Sequence, residues 1–192
     1  ADVAVLDAAG IAAILPHRGA MSLLDAVIAV DAARIECLSD SHRRKPHPMA
    51  DADGRLGIAC AIEYGAQAMA LHAALSLRAA ADGSPPARLP VGMLAGVRAL
   101  RCTVPRFDDV DAPLRIVATL ASGDARTAIY QLTIDAAGKA LLEGRATVVI
   151  DAASVSTAPS AVARASFGAT ATSTSTSTST STSTSNANAN PP

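Results

Sequence analysis

The longest near-uninterrupted apolar stretch in the chain runs from Gly57 to Leu77, GIACAIEYGAQAMALHAALSL, and its only formal charge is on Glu63. Ala, Leu and Met dominate it, and all three favour helix. No wide polar face interrupts the pattern, so it predicts a helix buried all round rather than a surface amphipath. Glu63 and Gln67 stand one turn apart on a common face. A carboxyl set into such a rod costs stability unless it is partnered, and the same setting suits a general acid or base. Glu63 is therefore the leading candidate for chemistry. The competing reading leaves it at a helix edge, solvated or paired with an arginine. The stretch is also long enough to span a bilayer. Glu63, Gln67 and His72 near its middle, and the absence of basic, aromatic flanks, argue against insertion.

The rest of the pattern supplies strands. Asp7 is placed to cap a short helix reaching Leu15, which Pro16 ends. Pro16-His17-Arg18-Gly19 reads as a turn. Met21–Val30 and Arg34–Leu38 read as a hairpin around Asp31-Ala32-Ala33. Ser41 to Gly54 is a polar, proline-broken loop leading into the helix, and Ala79–Pro90 is a linker. Four further strands are expected at Val91–Val104, Leu114–Ala121, Thr127–Asp135 and Ala140–Ile150. Tight turns are expected at Gly123-Asp124 and Ala137-Gly138. This order predicts an α+β domain over residues 1–150, an antiparallel sheet against one long helix. A helix apolar on every side needs either a sheet that wraps it or a second subunit that covers it. From Asp151 the chain turns to Ser, Thr, Ala and Asn, with a Thr-Ser alternation from Thr172 to Ser185. Such a tail has too few large apolar side chains to offset its ordering entropy, and disorder is expected over residues 151–192.

Composition removes some functions. The net charge is −1 and there are two Tyr, two Phe and no Trp, so the basic stripe and stacking rings of a nucleic-acid binder are missing. Cys37, Cys60 and Cys102 lie apart in apolar contexts, reading as buried thiols in a reducing compartment. The first residues, ADVAVLDAAG, lack the basic and long apolar regions of a signal peptide, so a cytoplasmic location is expected. His42 and His47 have no Cys or carboxylate at ligand spacing, and no metal is expected. His42 reads as a surface residue and His72 as a core one.

The order of these pieces resembles the hotdog-fold 3-hydroxyacyl-(acyl carrier protein) dehydratases, in which a sheet wraps a long central helix. The resemblance is carried by Leu15-Pro16-His17-Arg18, Leu23-Leu24-Asp25, and Glu63 with Ala66-Gln67-Ala68. Within that family the chain is most similar to the accessory dehydratases found with aryl-polyene gene clusters. The words that match are Ala50-Asp51-Ala52-Asp53-Gly54-Arg55-Leu56, Ile62-Glu63-Tyr64, Gly92 to Arg98 and Val104-Pro105-Arg106-Phe107. The resemblance implies a hydro-lyase that removes water from 3-hydroxyacyl thioesters. A histidine is then the base, the helix carboxylate at Glu63 the acid, and N–H groups near Gly57 hold the thioester oxygen. Gln67 positions Glu63 or a water. His47 is nearest the family's histidine by position, although its Pro-His-Pro-Met run lacks the family's Gly-His-Phe-Pro; His17 is the rival, with a structural turn role as its alternative. No cofactor is implied beyond the phosphopantetheine that carries the substrate. The expected partners are an acyl carrier protein and a second hotdog subunit, as homo- or heterodimer. His42-Arg43-Arg44-Lys45 is either a solvated loop or a dock in which Arg43 and Arg44 meet the carrier. Arg98 and Arg106 are further docking candidates. The rival functions are a hotdog thioesterase and a non-catalytic subunit of a heterodimeric dehydratase.

Overall fold

Asp7 Oδ1 accepts the N–H of Gly10 at 2.9 Å and opens helix α1 (Ala8–Ile14) directly after the two-residue strand β1 (Leu6–Asp7). The computed structural model describes residues 5–80, 92–124 and 126–150. The tail expected to be disordered and nearly all of the expected linker lie outside them. Helix α1 stops at its C-cap Leu15, the residue that Pro16 forces into extended backbone. The hairpin β2 (Ala26–Val30) and β3 (Arg34–Ser39) follows, and its turn is held by Asp31 Oδ1, which accepts from the N–H groups of Ala33 and Arg34 at 2.8 Å each.

The loop after β3 is more ordered than its prolines suggest. It opens with a 3-10 turn, Ser41–Arg43, and Asp51 Oδ1 accepts from the N–H groups of Asp53 and Arg55. A second 3-10 turn, Ile58–Cys60 with Gly57 as N-cap, leads into the central helix α2 (Ala61–Ala80). Strands β4 (Gly92–Cys102), β5 (Leu114–Gly123), β6 (Thr127–Ala136) and β7 (Lys139–Ile150) complete the domain. All neighbouring strands are antiparallel, in the order β1-β2-β3-β5-β6-β7-β4. The chain thus leaves β3 through α2, builds the far edge as β4, and returns to pair β5 beside β3.

Strand β6 shows why the helix lies where it does. Ala128, Tyr130, Leu132, Ile134 and Ala136 alternate inward and are buried, the period-two pattern of a sheet with one covered face. Helix α2 packs on β3, β5 and β6, and Tyr64, Ala68 and Leu71 along it are fully buried. At Gly65 the helix runs tight against the sheet: a Cβ there would lie 2.4 Å from Leu132 Cδ2. Of the cover that a helix apolar on every side calls for, this chain's sheet supplies only one side. One flank meets the sheet; the other, with Ala70 and Leu77 exposed and Glu63, Ala66 and Ala73 half-buried, stays open. The window Ile58–Ala79 has the length and apolarity of a membrane span, yet half of it is buried inside the domain.

This is a hotdog arrangement, an antiparallel sheet around one long helix, as the resemblance implied. The turn between β6 and β7 has positive φ at both Ala137 (49°) and Gly138 (75°), the type I′ geometry of a two-residue hairpin. Strand β4 is different. It pairs with β7 along one edge only, two bulges interrupt that pairing, and Met93, Leu94 and Leu100 are exposed.

Candidate active site

Glu63 belongs to the first turn of α2, on its open flank, with its side chain about one-third exposed (32%). Gln67 follows one turn later and is fully buried. Every polar group of the Gln67 amide is used. Oε1 accepts the N–H of Leu23 at 3.1 Å, while Nε2 donates to Met21 O at 2.9 Å and to Glu63 Oε1 at 3.1 Å. The donor side of the amide is therefore fixed toward Glu63.

His17 reaches the same carboxyl from the turn after α1. The Arg18 guanidinium donates to the carbonyls of Ala12, Leu15 and His17 and staples that turn to the end of the helix. His17 Nε2 lies 3.4 Å from Glu63 Oε1, an ion-pair distance slightly longer than a hydrogen bond. The other ring nitrogen, Nδ1, is buried and has no hydrogen-bond partner. Nε2 is therefore the ring nitrogen that faces Glu63 and the open side of the site. The structure thus brings Glu63, Gln67 and His17 together.

It does not bring His47 to them. His47, expected in a polar loop as the positional match for the base, is buried beneath α2. Its Nδ1 accepts the N–H of Met49 at 3.2 Å, and its Nε2 lies 3.2 Å from Tyr64 Oη. With Nδ1 taken as an acceptor, Nε2 carries the hydrogen, so no lone pair is free to act as a base. Burial first, and then the charge of Arg44 and the nearby His42, holds its pKa below the usual histidine value. Tyr64 follows Glu63 directly, so the two side chains leave α2 in different directions. His42, expected at the surface, is also buried. It stacks on Phe107 and bonds Val110 O through Nε2 at 2.9 Å. Burial lowers its pKa too. His72 is a core residue as expected, held between Tyr130 Oη and Asp31 O.

The basic residues are partly committed. Arg43 pairs with Asp40 and donates to Asp111 O; Arg44 pairs with Asp25 and donates to Ser22 O. Arg106 pairs with Asp108 and Asp109, and Arg98 sits exposed on β4. Gly57 forms a bridge with Arg106, with open space where a side chain would stand. Among the described residues no group of three or more His, Cys, Asp or Glu is gathered as for a metal. A cleft of about 290 Å³ is lined by Lys45 to His47 and Ala50 to Gly54, apart from the His17–Glu63 pair. Sequence reasoning missed the Arg18 staple and a buried run of hydroxyls, Ser39, Ser41 and Tyr64. Hydroxyls so close to helix and strand ends were the only available signal.

Residues 9–158 match the model of a family described as ApeP-like, ApeP dehydratase. The chain belongs to the ApeP-like dehydratase family. A solved structure, the dehydratase heterocomplex ApeI:P from Xenorhabdus doucetiae, contains a chain 30% identical to this one. The match covers 73% of this chain and 90% of that one, with a TM-score of 0.62. Thioesterases from Pseudomonas aeruginosa (12% identity, 65% of this chain and 79% of that one, TM-score 0.45) and Haemophilus influenzae (14%, 65% and 76%, 0.46) are more remote matches. No curated protein matches the sequence. The ApeP-like assignment makes dehydration the reaction to which the Glu63 site is read.

Proposed function

We propose that this ApeP-like chain dehydrates 3-hydroxyacyl thioesters on an acyl carrier protein, in polyene- or fatty-acid-type synthesis. In this reading His17 is the base and Glu63 the acid. The observation that carries it is the meeting of His17 Nε2 and Glu63 Oε1 at 3.4 Å on the open flank of α2. The His17 imidazole takes the proton from C2, the C2–H electrons form the C2=C3 bond, and the C3–O bond breaks. Glu63 gives its proton to the departing hydroxyl, which leaves as water. The product is the 2-enoyl thioester, and no electrons are gained or lost. The N-terminal end of α2, in whose first turn Glu63 stands, is the positive end of the helix and the seat for the enolate-like oxygen near Gly57. Positioned acid–base groups of this kind contribute about 10²–10⁴-fold in rate. Arg43, Arg44, Arg98 and Arg106 are the cations available to steer an acidic carrier.

The pair lies on an open surface, and the free edge of β4 carries exposed Met93, Leu94 and Leu100. A second hotdog subunit is the occupant proposed for that side, roofing the acyl chain. The ApeI:P heterocomplex favours a different subunit over a second copy. It also supports one other reading, in which this chain is the non-catalytic partner.

The test is mass spectrometry of 3-hydroxyacyl carrier protein incubated with the pure chain, alone and with a hotdog partner. Loss of one water that depends on Glu63 supports catalysis. Turnover that requires the partner and survives Glu63→Gln assigns the chain the supporting role. Release of free carrier thiol would identify a thioesterase instead.

A further inference from the structure

The polar contacts around Gln67 continue into the molecule. Leu23 is pinned from both ends: its N–H donates to Gln67 Oε1, and its carbonyl accepts from Ser39 Oγ. Ser39 Oγ lies 3.0 Å from Ser41 Oγ, which lies 2.9 Å from Tyr64 Oη, which meets His47 Nε2 at 3.2 Å. Ser39, Ser41 and Tyr64 are all shielded from solvent. Ser39 Oγ donates to the Leu23 carbonyl and accepts the Ser41 N–H at 3.1 Å, while the Ser41 hydroxyl donates to Tyr64 Oη. His47 Nε2, which carries the hydrogen when Nδ1 accepts from Met49, donates to the same Tyr64 oxygen. The run crosses four parts of the chain: the loop after β3, α2, the end of β3, and the segment that follows the His17 turn.

We infer that Ser39, Ser41 and Tyr64 are positioning residues for the His17–Glu63 pair, acting through the Leu23 peptide and Gln67. The inference rests on the reading of that pair given under Proposed function. None of the three hydroxyls touches the pair. Their effect is to hold Met21–Leu23 against α2, and Met21 and Leu23 supply two of the three partners that orient the Gln67 amide. If Leu23 moves, Gln67 loses the bond that fixes its donor side toward Glu63. A buried network of this kind rigidifies when every member is satisfied and loosens as a unit when one is removed.

Tyr64→Phe deletes one oxygen and keeps the ring that meets Phe107 edge-on. It leaves His47 Nε2 and Ser41 Oγ without their partner. Ser39→Ala is the smaller lesion, cutting the run at Leu23, and Ser39→Thr restores the hydroxyl. Ile35→Val serves as a control that loosens the core without touching a polar contact. Two readouts are taken on each variant in the full chain: the ring nitrogen signals of His17 in histidine-labelled protein, and steady-state dehydration with whatever partner supports it. Misplacing a reacting group by a fraction of an ångström to an ångström costs up to about 10²-fold, so kcat should fall about tenfold with KM nearly unchanged. The His17 signals should shift in Tyr64→Phe and Ser39→Ala, return in Ser39→Thr, and stay in place in Ile35→Val. Unchanged His17 signals in both Tyr64→Phe and Ser39→Ala would overturn the inference, as would an equal shift in Ile35→Val. Shifted signals in a chain with no turnover of its own would uphold the positioning run and refute the catalytic reading.

Discussion

Gly65 tests whether the distance between α2 and the sheet is set by one missing side chain. A Cβ at this position would stand 2.4 and 2.7 Å from the two terminal methyls of Leu132 and 3.1 Å from its Cγ. Those atoms end a flexible side chain, but Leu132 is 1% exposed and packed against α2, so it has little room to swing away. Two opposing effects decide the outcome of Gly65→Ala. Alanine in a helix interior gains about 1 kcal/mol over glycine, while forcing a methyl into a filled core costs about 1–3 kcal/mol. The net expectation is a loss of up to about 2 kcal/mol. Leu132→Val removes the methyls that collide and costs about 1 kcal/mol alone. In the double variant the new methyl occupies the vacated space, so the two changes should couple favourably by about 1–3 kcal/mol. Urea unfolding of the four proteins supplies the cycle. Glu63 lies two residues before Gly65, so the single variant should also lose turnover that the double variant recovers. Stabilisation by the full helix-propensity gain in Gly65→Ala, with no coupling to Leu132, would refute the argument. The helix could then shift freely on its sheet.

Glu63→Gln keeps the size of the side chain but cannot give up a proton, so dehydration should fall by about 10²-fold or more with the fold intact; near-normal turnover in the full assembly would remove Glu63 from the chemistry. His17→Gln should lower turnover comparably with a small change in melting temperature, because the ring is about one-third exposed (30%), whereas His47→Ala should cost stability as well by stripping two buried contacts. Ala137→Asn should stabilise the chain by about 1 kcal/mol, since Asn accepts the left-handed backbone of a type I′ turn more readily than Ala; no rise in melting temperature would contradict the turn assignment. Burial holds the pKa of both His42 and His47 below the ordinary histidine value of 6.5. The unfolded chain therefore binds more protons below that pH, and stability should decline as pH falls from about 7 to 5. A flat denaturation midpoint across that range would mean that neither ring is buried.

The sequence made the frame legible where periodicity and local chemistry point the same way. The apolar run around Glu63 became α2, Asp7 capped α1, and Asp31 and Ala137-Gly138 turned their hairpins. It was silent where tertiary contacts decide. His42 and His47 sit in a run of charges and prolines that reads as a solvated loop, yet Phe107, Val110 and Tyr64 enclose them from elsewhere in the chain. His17 and Glu63 are far apart in sequence, and only the packing of the α1 turn beside α2 brings them together. The all-round apolar pattern of α2 concealed its open flank, because alanine suits a buried face and an exposed one alike.

The fixed amide of Gln67 also distinguishes the two oxygens of Glu63. Its Nε2 can only donate, and it faces Oε1, the same oxygen that His17 Nε2 approaches. The Gln67 donor makes Oε1 the accepting oxygen, so a hydrogen carried by the carboxyl belongs on Oε2, which has no protein partner among the described residues. An acid with one assigned oxygen has a direction. Under the proposed dehydration, with Glu63 as the acid, the departing hydroxyl lies on the Oε2 side, so the two enantiomers of a 3-hydroxyacyl thioester should be separated by a glutamine that touches neither.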